Sequence, residues 1–282
     1  MRPLLVLFAL APMYGQRPDG LLFYASLRQS FTAEHAAGVP QPLQSSGVMV
    51  NDAADLPPGA RLTYDARANI YAEQGTVSFW WRPEAASGRV SFPLLLVSYE
   101  QHSTWDFNFM RIAWTGSELT ARLTDRNYVT QSVRGPIKPE AGQWVHIAVG
   151  WSESDGLAFY INGKLAGRLA RPLELDAALD QFGLVTAAVT PHHTSGNENA
   201  GAIREVRIYR APLDGEDVAR LAAGEQPAGA VRRQTPWAAR FGWSENARVP
   251  VGGTFKVTRI PVAEAKDLGK FWLKGADGKR ET

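Results

Sequence analysis

The 282-residue chain contains no cysteine, which excludes disulfide bonds, a cysteine nucleophile and thiolate metal ligands. Its formal net charge is only +2, from 30 Lys and Arg against 28 Asp and Glu, which gives no argument for a nucleic-acid partner. The apolar run from Leu4 to Leu10 is far shorter than the roughly 20 residues that span a bilayer. We therefore expect neither nucleic-acid binding nor membrane insertion.

Several catalytic motifs are also missing. The sequence holds no Gly-x-Ser-x-Gly elbow, no His-Glu-x-x-His zinc motif and no phosphate-binding glycine loop. Sets of Ser, His and Asp can be chosen from any chain of this length, but nothing in this sequence fixes one. We predict that the chain is not an enzyme.

The amino terminus has the parts of a secretory signal. Arg2 precedes the apolar run, and small and turn-forming residues follow it up to Gly15. We predict a signal peptide over residues 1–15 and a secreted protein, periplasmic or extracellular. The alternative is that this segment forms a buried amino-terminal strand.

The carboxy-terminal region differs in charge from the rest. From Arg232 onward there are 11 Lys and Arg and 5 Asp and Glu, against 19 and 23 before it. The change follows a stretch rich in Ala, Gly and Pro, which is typical of a linker. We predict a main domain over residues 16–224, a linker over 225–236, and a β-rich extension or incomplete second domain over 237–282.

Short β-like runs separated by Gly, Pro, Asn and Asp fill the main domain. The predicted strands are 20–27, 60–64, 75–83, 92–100, 107–114, 118–125, 127–133, 143–151, 157–163 and 202–209. Asn162-Gly163 is typical of a type I′ hairpin turn. After Tyr209 the pattern predicts a short closing helix with Asp214 as its cap. This spacing indicates an antiparallel sandwich or barrel.

Alternation assigns residues to the two faces of three strands. Val77, Phe79 and Trp81 share one face and Trp80 the other, and His146 lies opposite an apolar row, as expected of a structural histidine. In the strand at 202–209, strict alternation places Arg204 on the same side as Val206 and Ile208. A cation therefore lines up with an apolar face.

The order of three segments resembles the laminin-G-like jelly-roll domains of the concanavalin-A-like lectin and glucanase superfamily. The segments are GTVSFWWRP, GQWVHIAVGWSESDGLAFYINGKLAG and GAIREVRIYRAPLDGEDVARL. The resemblance implies an all-β, two-sheet antiparallel jelly-roll sandwich with one concave sheet. Relatives bind glycans, bind proteins or serve as accessory modules, so the resemblance alone does not fix function.

Catalytic relatives, the family 16 glucanases, carry their carboxylates on one strand as E-x-D-x-x-E or E-x-D-x-E. The triplet Glu153-Ser154-Asp155 has the first part of this spacing, but it is followed by no third carboxylate and falls in a predicted hairpin turn. We reject it as a glucanase site.

Many relatives bind calcium at the rim of the sandwich. The resemblance would place one acid after the first strand and another in the closing strand, where this sequence has Arg28 and Arg204. Two guanidinium groups beside a divalent cation would repel it, and Glu205 alone cannot hold calcium. We therefore predict no cofactor and no metal, although calcium is possible for the family.

We predict a non-catalytic module that binds carbohydrate or a protein surface. The alternatives are an accessory domain of a glycan-processing enzyme and a structural cell-surface spacer. Trp80 could stack on a sugar ring if its face is the concave one. Two polar loops supply the remaining candidate ligand residues, which are His102, Trp105, His192, His193, Asn197 and Glu198. Oligomeric state is left open.

Overall fold

The computed structural model describes residues 20–55, 57, 60–83, 92–99, 108–125, 127–175, 178–185 and 201–228, together with two short strands near the carboxyl terminus. The chain forms two compact units, Met1–Val231 and Arg232–Thr282. The predicted signal peptide lies outside the described residues, and the predicted domain boundaries stay predictions.

Nine strands form the first sheet of the larger unit, sheet A. They are β1 (Leu21–Ala25), β2 (His35–Ala36), β4 (Val48–Met49), β5 (Ala54–Asp55), β7 (Gln74–Arg82), β12 (Val145–Ser152), β13 (Gly156–Ile161), β14 (Lys164–Leu169) and β16 (Ala202–Tyr209). Their order is β14-β13-β12-β7-β16-β1-β2, with β5 also pairing β16 and β4 pairing β5.

Seven strands form the second sheet, sheet B. They are β3 (Pro42–Ser45), β6 (Arg61–Asp65), β8 (Phe92–Tyr99), β9 (Asn108–Trp114), β10 (Glu118–Thr124), β11 (Thr130–Pro136) and β15 (Leu179–Val185). Their order is β11-β10-β9-β8-β15-β6-β3, and the strand pairs of both sheets are antiparallel. The predicted all-β, two-sheet antiparallel sandwich is confirmed.

The core lies between the two sheets. From sheet A it takes Val77, Phe79 and Trp81 of β7, with Val145, Ile147, Val149 and Trp151 of β12. From sheet B it takes residues such as Leu62, Val97, Ile112 and Leu123. The faces predicted for β7 and β12 are therefore confirmed, and Trp80 and His146 lie on the outer face of sheet A.

The face assignment predicted for β16 is wrong, because a β-bulge interrupts the strand. Arg204 pairs with Trp80 and Arg207 with Ser78, so two residues of β16 lie opposite Phe79 alone. Glu205 is the extra residue and has a left-handed backbone, with φ 58°. Ile203, Val206 and Ile208 consequently face the core. The side chains of Arg204 and Arg207 project from the outer face of sheet A. Arg204 therefore does not lie on the apolar face of β16, contrary to the prediction from strict alternation.

The predicted hairpin turn and closing helix are both present. Asn162 and Gly163 have φ values of 50° and 76°, as a type I′ turn requires. Helix α1 (Gly215–Ala222) is capped by Asp214, whose side chain accepts a hydrogen bond from the Asp217 amide. Val218 and Leu221 pack with Ala148, Tyr160 and Tyr209, so α1 covers part of the outer face of sheet A.

The predicted set of strands needs correction in two respects. Strand β11 begins at Thr130, three residues after its predicted start at Asn127, because residues 127–129 form the turn that follows β10. The predicted strands also did not include β2, β3, β4, β5, β14 and β15. In the smaller unit the structure describes one antiparallel pair, β17 (Leu273–Lys274) with β18 (Arg280–Glu281).

Within the described residues, no helix has the length and apolar character needed to cross a membrane.

Candidate functional site

Aromatic and cationic side chains gather on the part of sheet A's outer face that carries Trp80. The register places Trp80 between His146 of β12 and Arg204 of β16. Trp144 lies just before β12, and Arg82 ends β7. Trp80, Trp144, Arg82 and Arg204 are all partly buried. We call these four residues the platform.

Trp80 rests against a buried histidine. The ring centroids of Trp80 and His146 are 5.2 Å apart, with the planes tilted by 59°. His146 Nε2 lies 3.0 Å from the Ser78 hydroxyl oxygen, and the His146 amide donates to Asn162 Oδ1 over 2.9 Å. His146 is 1% exposed. It therefore packs beside Trp80 on the outer face of sheet A, in line with the structural role predicted for it.

Burial also sets the protonation of His146. Loss of solvation, aided by the positive charge of Arg207, lowers the pKa of His146 to about 4. The imidazole is thus neutral at physiological pH. His146 therefore adds no positive charge beside the arginines of the platform.

The two arginines of the platform lie over Trp144. The guanidinium carbon of Arg204 is 4.1 Å from the centroid of the Trp144 ring, and that of Arg82 is 4.9 Å away. Among the described residues Arg204 makes neither an ion pair nor a hydrogen bond, and its Nε is buried without a partner. Burial and the neighbouring charge of Arg28 lower its pKa. Arg204 is thus a cation held in place by an aromatic ring, with donors left over for a ligand.

The bulge residue Glu205 organises a different group of side chains next to the platform. Its Oε2 accepts from the Tyr24 hydroxyl at 3.0 Å and from Arg207 at 2.6 Å, and its Oε1 accepts from Arg28 at 2.9 Å. Arg207 also lies over the Tyr24 ring at 4.5 Å. We call these four residues the Glu205 cluster.

The charge of Glu205 is stabilised within this cluster. Burial opposes ionisation, but the positive charge of Arg207 and the hydrogen bonds from Arg28 and Tyr24 together hold the pKa of Glu205 below its ordinary value. Glu205 therefore remains an anion, and its carboxylate is already shared by three donors.

The geometry bears directly on the calcium site expected from the resemblance. Arg28 occupies the place of the first acid and is itself bound to Glu205. Arg204, in the place of the second, lies close enough for the charge of Arg28 to affect its pKa. In the described part of the chain, no three His, Asp or Glu residues come together as metal ligands. The predicted absence of calcium stays a prediction, now with a physical basis in these ion pairs.

The predicted ligand residues divide into two sets. Trp80 is described and belongs to the platform. The loop residues lie outside the described residues and stay predictions; these are His102, Trp105, His192, His193, Asn197 and Glu198. Sequence reasoning missed Trp144 and Arg82 as partners of Arg204. The register of β7 with β12 and β16 brings them together, and that register is not visible in one strand alone.

Carboxylates with glucanase spacing do not form a catalytic pair in the described structure. Glu153 and Asp155 lie in the turn between β12 and β13, as predicted. The same spacing recurs at Glu174-Leu175-Asp176. There Glu174 accepts a hydrogen bond from Asn127 at 2.9 Å, Leu175 is buried, and Asp176 lies outside the described residues.

Comparison with known proteins identifies the sandwich. A laminin-G-type model of the concanavalin A-like lectin/glucanases superfamily matches residues 52–219. Among curated proteins, no sequence matches closely enough to count as a relative.

Solved structures of botulinum neurotoxin domains share the fold. The serotype D binding domain superposes with a TM-score of 0.56 at 14% identity, over 73% of this chain and 52% of that one. The type G receptor-binding domain gives 0.54 at 13%, over 73% and 51%. A structure of the type C toxin, which enters cells in a manner dependent upon interaction with two ganglioside molecules, gives 0.57 at 16%, over 73% and 51%. This chain spans about half the length of these toxin chains.

Proposed function

Because this chain belongs to the laminin-G-like family of the concanavalin A-like lectin/glucanases superfamily, we propose that it is a secreted, non-catalytic module that binds carbohydrate through the platform. The observation that carries the proposal is the position of Arg204. Its guanidinium is fixed over Trp144 and directly beside Trp80, and it has no carboxylate partner among the described residues.

The chemistry of the platform suits a sugar ring. The apolar face of a pyranose packs against an indole ring, and the sugar hydroxyls accept hydrogen bonds from guanidinium N–H groups. Trp80 supplies a partly exposed indole, and Arg204 supplies donors next to it. The ganglioside dependence of the type C toxin supports a glycan-binding use of this fold.

A non-catalytic role is supported by the state of Glu205, the carboxylate that follows Arg204 in the chain. Glycoside hydrolysis uses two carboxyl groups about 5 Å apart or more, one of them free to donate or accept a proton. Glu205 is instead held by Arg28, Arg207 and Tyr24. It is therefore a poor proton donor and a poor nucleophile.

A protein surface is the second candidate ligand. Trp and Arg are the residues that most often dominate the energy of protein–protein contacts, and the platform consists of these two types. Binding to a purified partner protein with no glycan attached, lost on substitution of Trp80, would favour this reading over the first.

The test is glycan-array binding by the full chain, followed by titration of each glycan that binds. Trp80→Ala should weaken the affinity about tenfold, equivalent to about 1.4 kcal/mol. Trp80→Phe should retain most of it, because the aromatic face is kept. Tyr128→Ala, which removes a half-exposed aromatic away from the platform, should have no effect. If no glycan binds, or if Trp80→Ala binds as the wild type does, the carbohydrate proposal fails.

A further inference from the structure

Two arginines lie side by side on the outer face of sheet B. Arg111 of β9 and Arg122 of β10 are directly paired across the strands. Their chain neighbours belong to the core; these are Met110, Ile112, Ala121 and Leu123. Because side chains alternate along a strand, both arginines project away from the core, with Cβ atoms about 5 Å apart. Sheet B thus carries two adjacent cations on its outer face.

Nothing in the described part of the chain neutralises this pair. Neither arginine takes part in the ion pairs found there. Arg122 Nη2 lies 3.5 Å from Asn108 Oδ1, a distance at the weak limit of a hydrogen bond. The buried Nε of Arg122 has no hydrogen-bond partner. Burial lowers the pKa of both groups, and the charge of Arg122 lowers the pKa of Arg111 further. The pair therefore costs stability as it stands.

An anion would remove this cost in a way that water cannot. Each guanidinium offers five N–H donors, and water can accept from them, but it leaves the two like charges unscreened at short range. A carboxylate or sulfate group both accepts the hydrogen bonds and cancels the charge. It also has the spacing of oxygens that fits the fork of an arginine side chain.

We propose that Arg111 and Arg122 form a second binding site, on the sheet opposite the platform, for the carboxylate or sulfate groups of an acidic polysaccharide. The anion site follows from the two arginines alone. The choice of a polysaccharide as its carrier rests on the proposed carbohydrate-binding function.

The test is titration of the full chain with heparin as a sulfated polymer, polygalacturonate as a carboxylated polymer, neutral dextran and inorganic sulfate. At least one acidic polymer should bind, with an affinity that falls as salt rises, and dextran should not bind at this site. Arg111→Gln and Arg122→Gln should each weaken the acidic polymer about tenfold.

The matched control is Arg134→Gln, on the adjacent strand β11. It removes the same charge from an arginine that is 73% exposed and already paired with Glu118, so it should change the affinity less than about twofold. Trp80→Ala should leave the part of acidic-polymer binding that depends on Arg111 and Arg122 unchanged. That arm separates failure of this site from failure of the platform.

Stability measurements separate a binding role from a structural one. Without ligand, Arg122→Gln should melt no lower than the wild type, because repulsion is relieved, and Arg122→Lys should keep part of the binding. The proposal is overturned if no acidic polymer binds, if Arg134→Gln loses as much as the other two variants, or if both Arg111→Gln and Arg122→Gln fail to fold. Inorganic sulfate binding as tightly as heparin would overturn the polysaccharide assignment.

Discussion

The side chains of Arg204 and Arg207 project from the same face of strand β16, on either side of the bulge. Arg207 has a carboxylate partner there, and Arg204 has an aromatic one. Arg207 is 2.6 Å from a carboxylate oxygen of Glu205 and lies over the Tyr24 ring, with its side chain 13% exposed. Arg204 lies over Trp144, and the described residues give it no carboxylate.

The difference shows how one strand serves two purposes. A guanidinium whose donors are taken by a buried carboxylate contributes to the fold and has little left to offer a ligand. A guanidinium held by an aromatic ring keeps its donors available. The Glu205 cluster is therefore the structural half of this surface, and the platform is the half suited to recognition.

The largest effect is expected from Glu205→Gln. Removing this carboxylate leaves Arg28 and Arg207 without their anion, and breaking an ion pair of this kind typically costs about 3 kcal/mol. The free energy of unfolding, measured by urea denaturation, should fall by that order. Glu118→Gln, which breaks the more exposed pair with Arg134, should cost less than about 1 kcal/mol. Equal losses in the two variants would contradict the distinction between cluster and surface pair.

The same variant has an expected pH signature. The folded-state pKa of Glu205 is lowered, so its contribution is complete above the unfolded value and is lost as the pH falls through the folded one. In Glu205→Gln this part of the acid dependence should vanish. If Glu205→Gln loses stability with falling pH in the same way as the wild type does, the lowered pKa of Glu205 is contradicted.

A smaller effect is expected from His146. Its pKa falls from 6.5 to about 4 on folding. The contribution of neutral His146 to stability is therefore complete above the unfolded value and is lost as the pH drops toward the folded one. Between about pH 6 and about pH 4.5 the loss should be about 2 kcal/mol, at about 1.4 kcal/mol per pH unit.

His146→Gln should abolish this dependence in denaturation curves taken across that range. His35→Gln, a partly exposed histidine of the same sheet, serves as the matched control. Because the charge of Arg207 contributes to the lowered pKa, Arg207→Gln should raise the pKa of His146 in an NMR titration. An unchanged pKa of His146 in Arg207→Gln would show that the charge of Arg207 does not act on His146.

The smallest effect is expected from calcium. The resemblance places the family's acids at the positions of Arg28 and Arg204, and Glu205 already accepts hydrogen bonds from three donors. Thermal melts with calcium and with chelator should agree within about 1 °C. A shift of several degrees would show that the chain binds calcium after all.

Alternation and turn chemistry were enough to predict an antiparallel sandwich or barrel, because half-buried strands impose a period of two on their residues. The resemblance to laminin-G-like domains implied the two-sheet sandwich. Asn162-Gly163 marked its hairpin since both residues tolerate positive φ. The bulge escaped prediction because Glu205 adopts a left-handed backbone without being glycine. Once it is inserted, every following side chain of β16 changes face.

The candidate sites were harder to predict than the fold for a related reason. Trp80 was found because it shares a strand with a core pattern. Trp144 and Arg82, and likewise Arg111 and Arg122, become neighbours only through the register between strands. The sequence of a single strand does not determine that register.

The most direct test of the account compares Arg204→Gln with Arg207→Gln in two measurements, the affinity for a bound glycan and the melting temperature. Arg204→Gln should weaken binding about tenfold and leave the melting temperature within about 1 °C, because its donors serve the ligand. Arg207→Gln should lower the melting temperature by several degrees and bind as the wild type does. If the two variants behave alike, or if their effects are exchanged, the division of this surface into a structural and a recognition half is wrong.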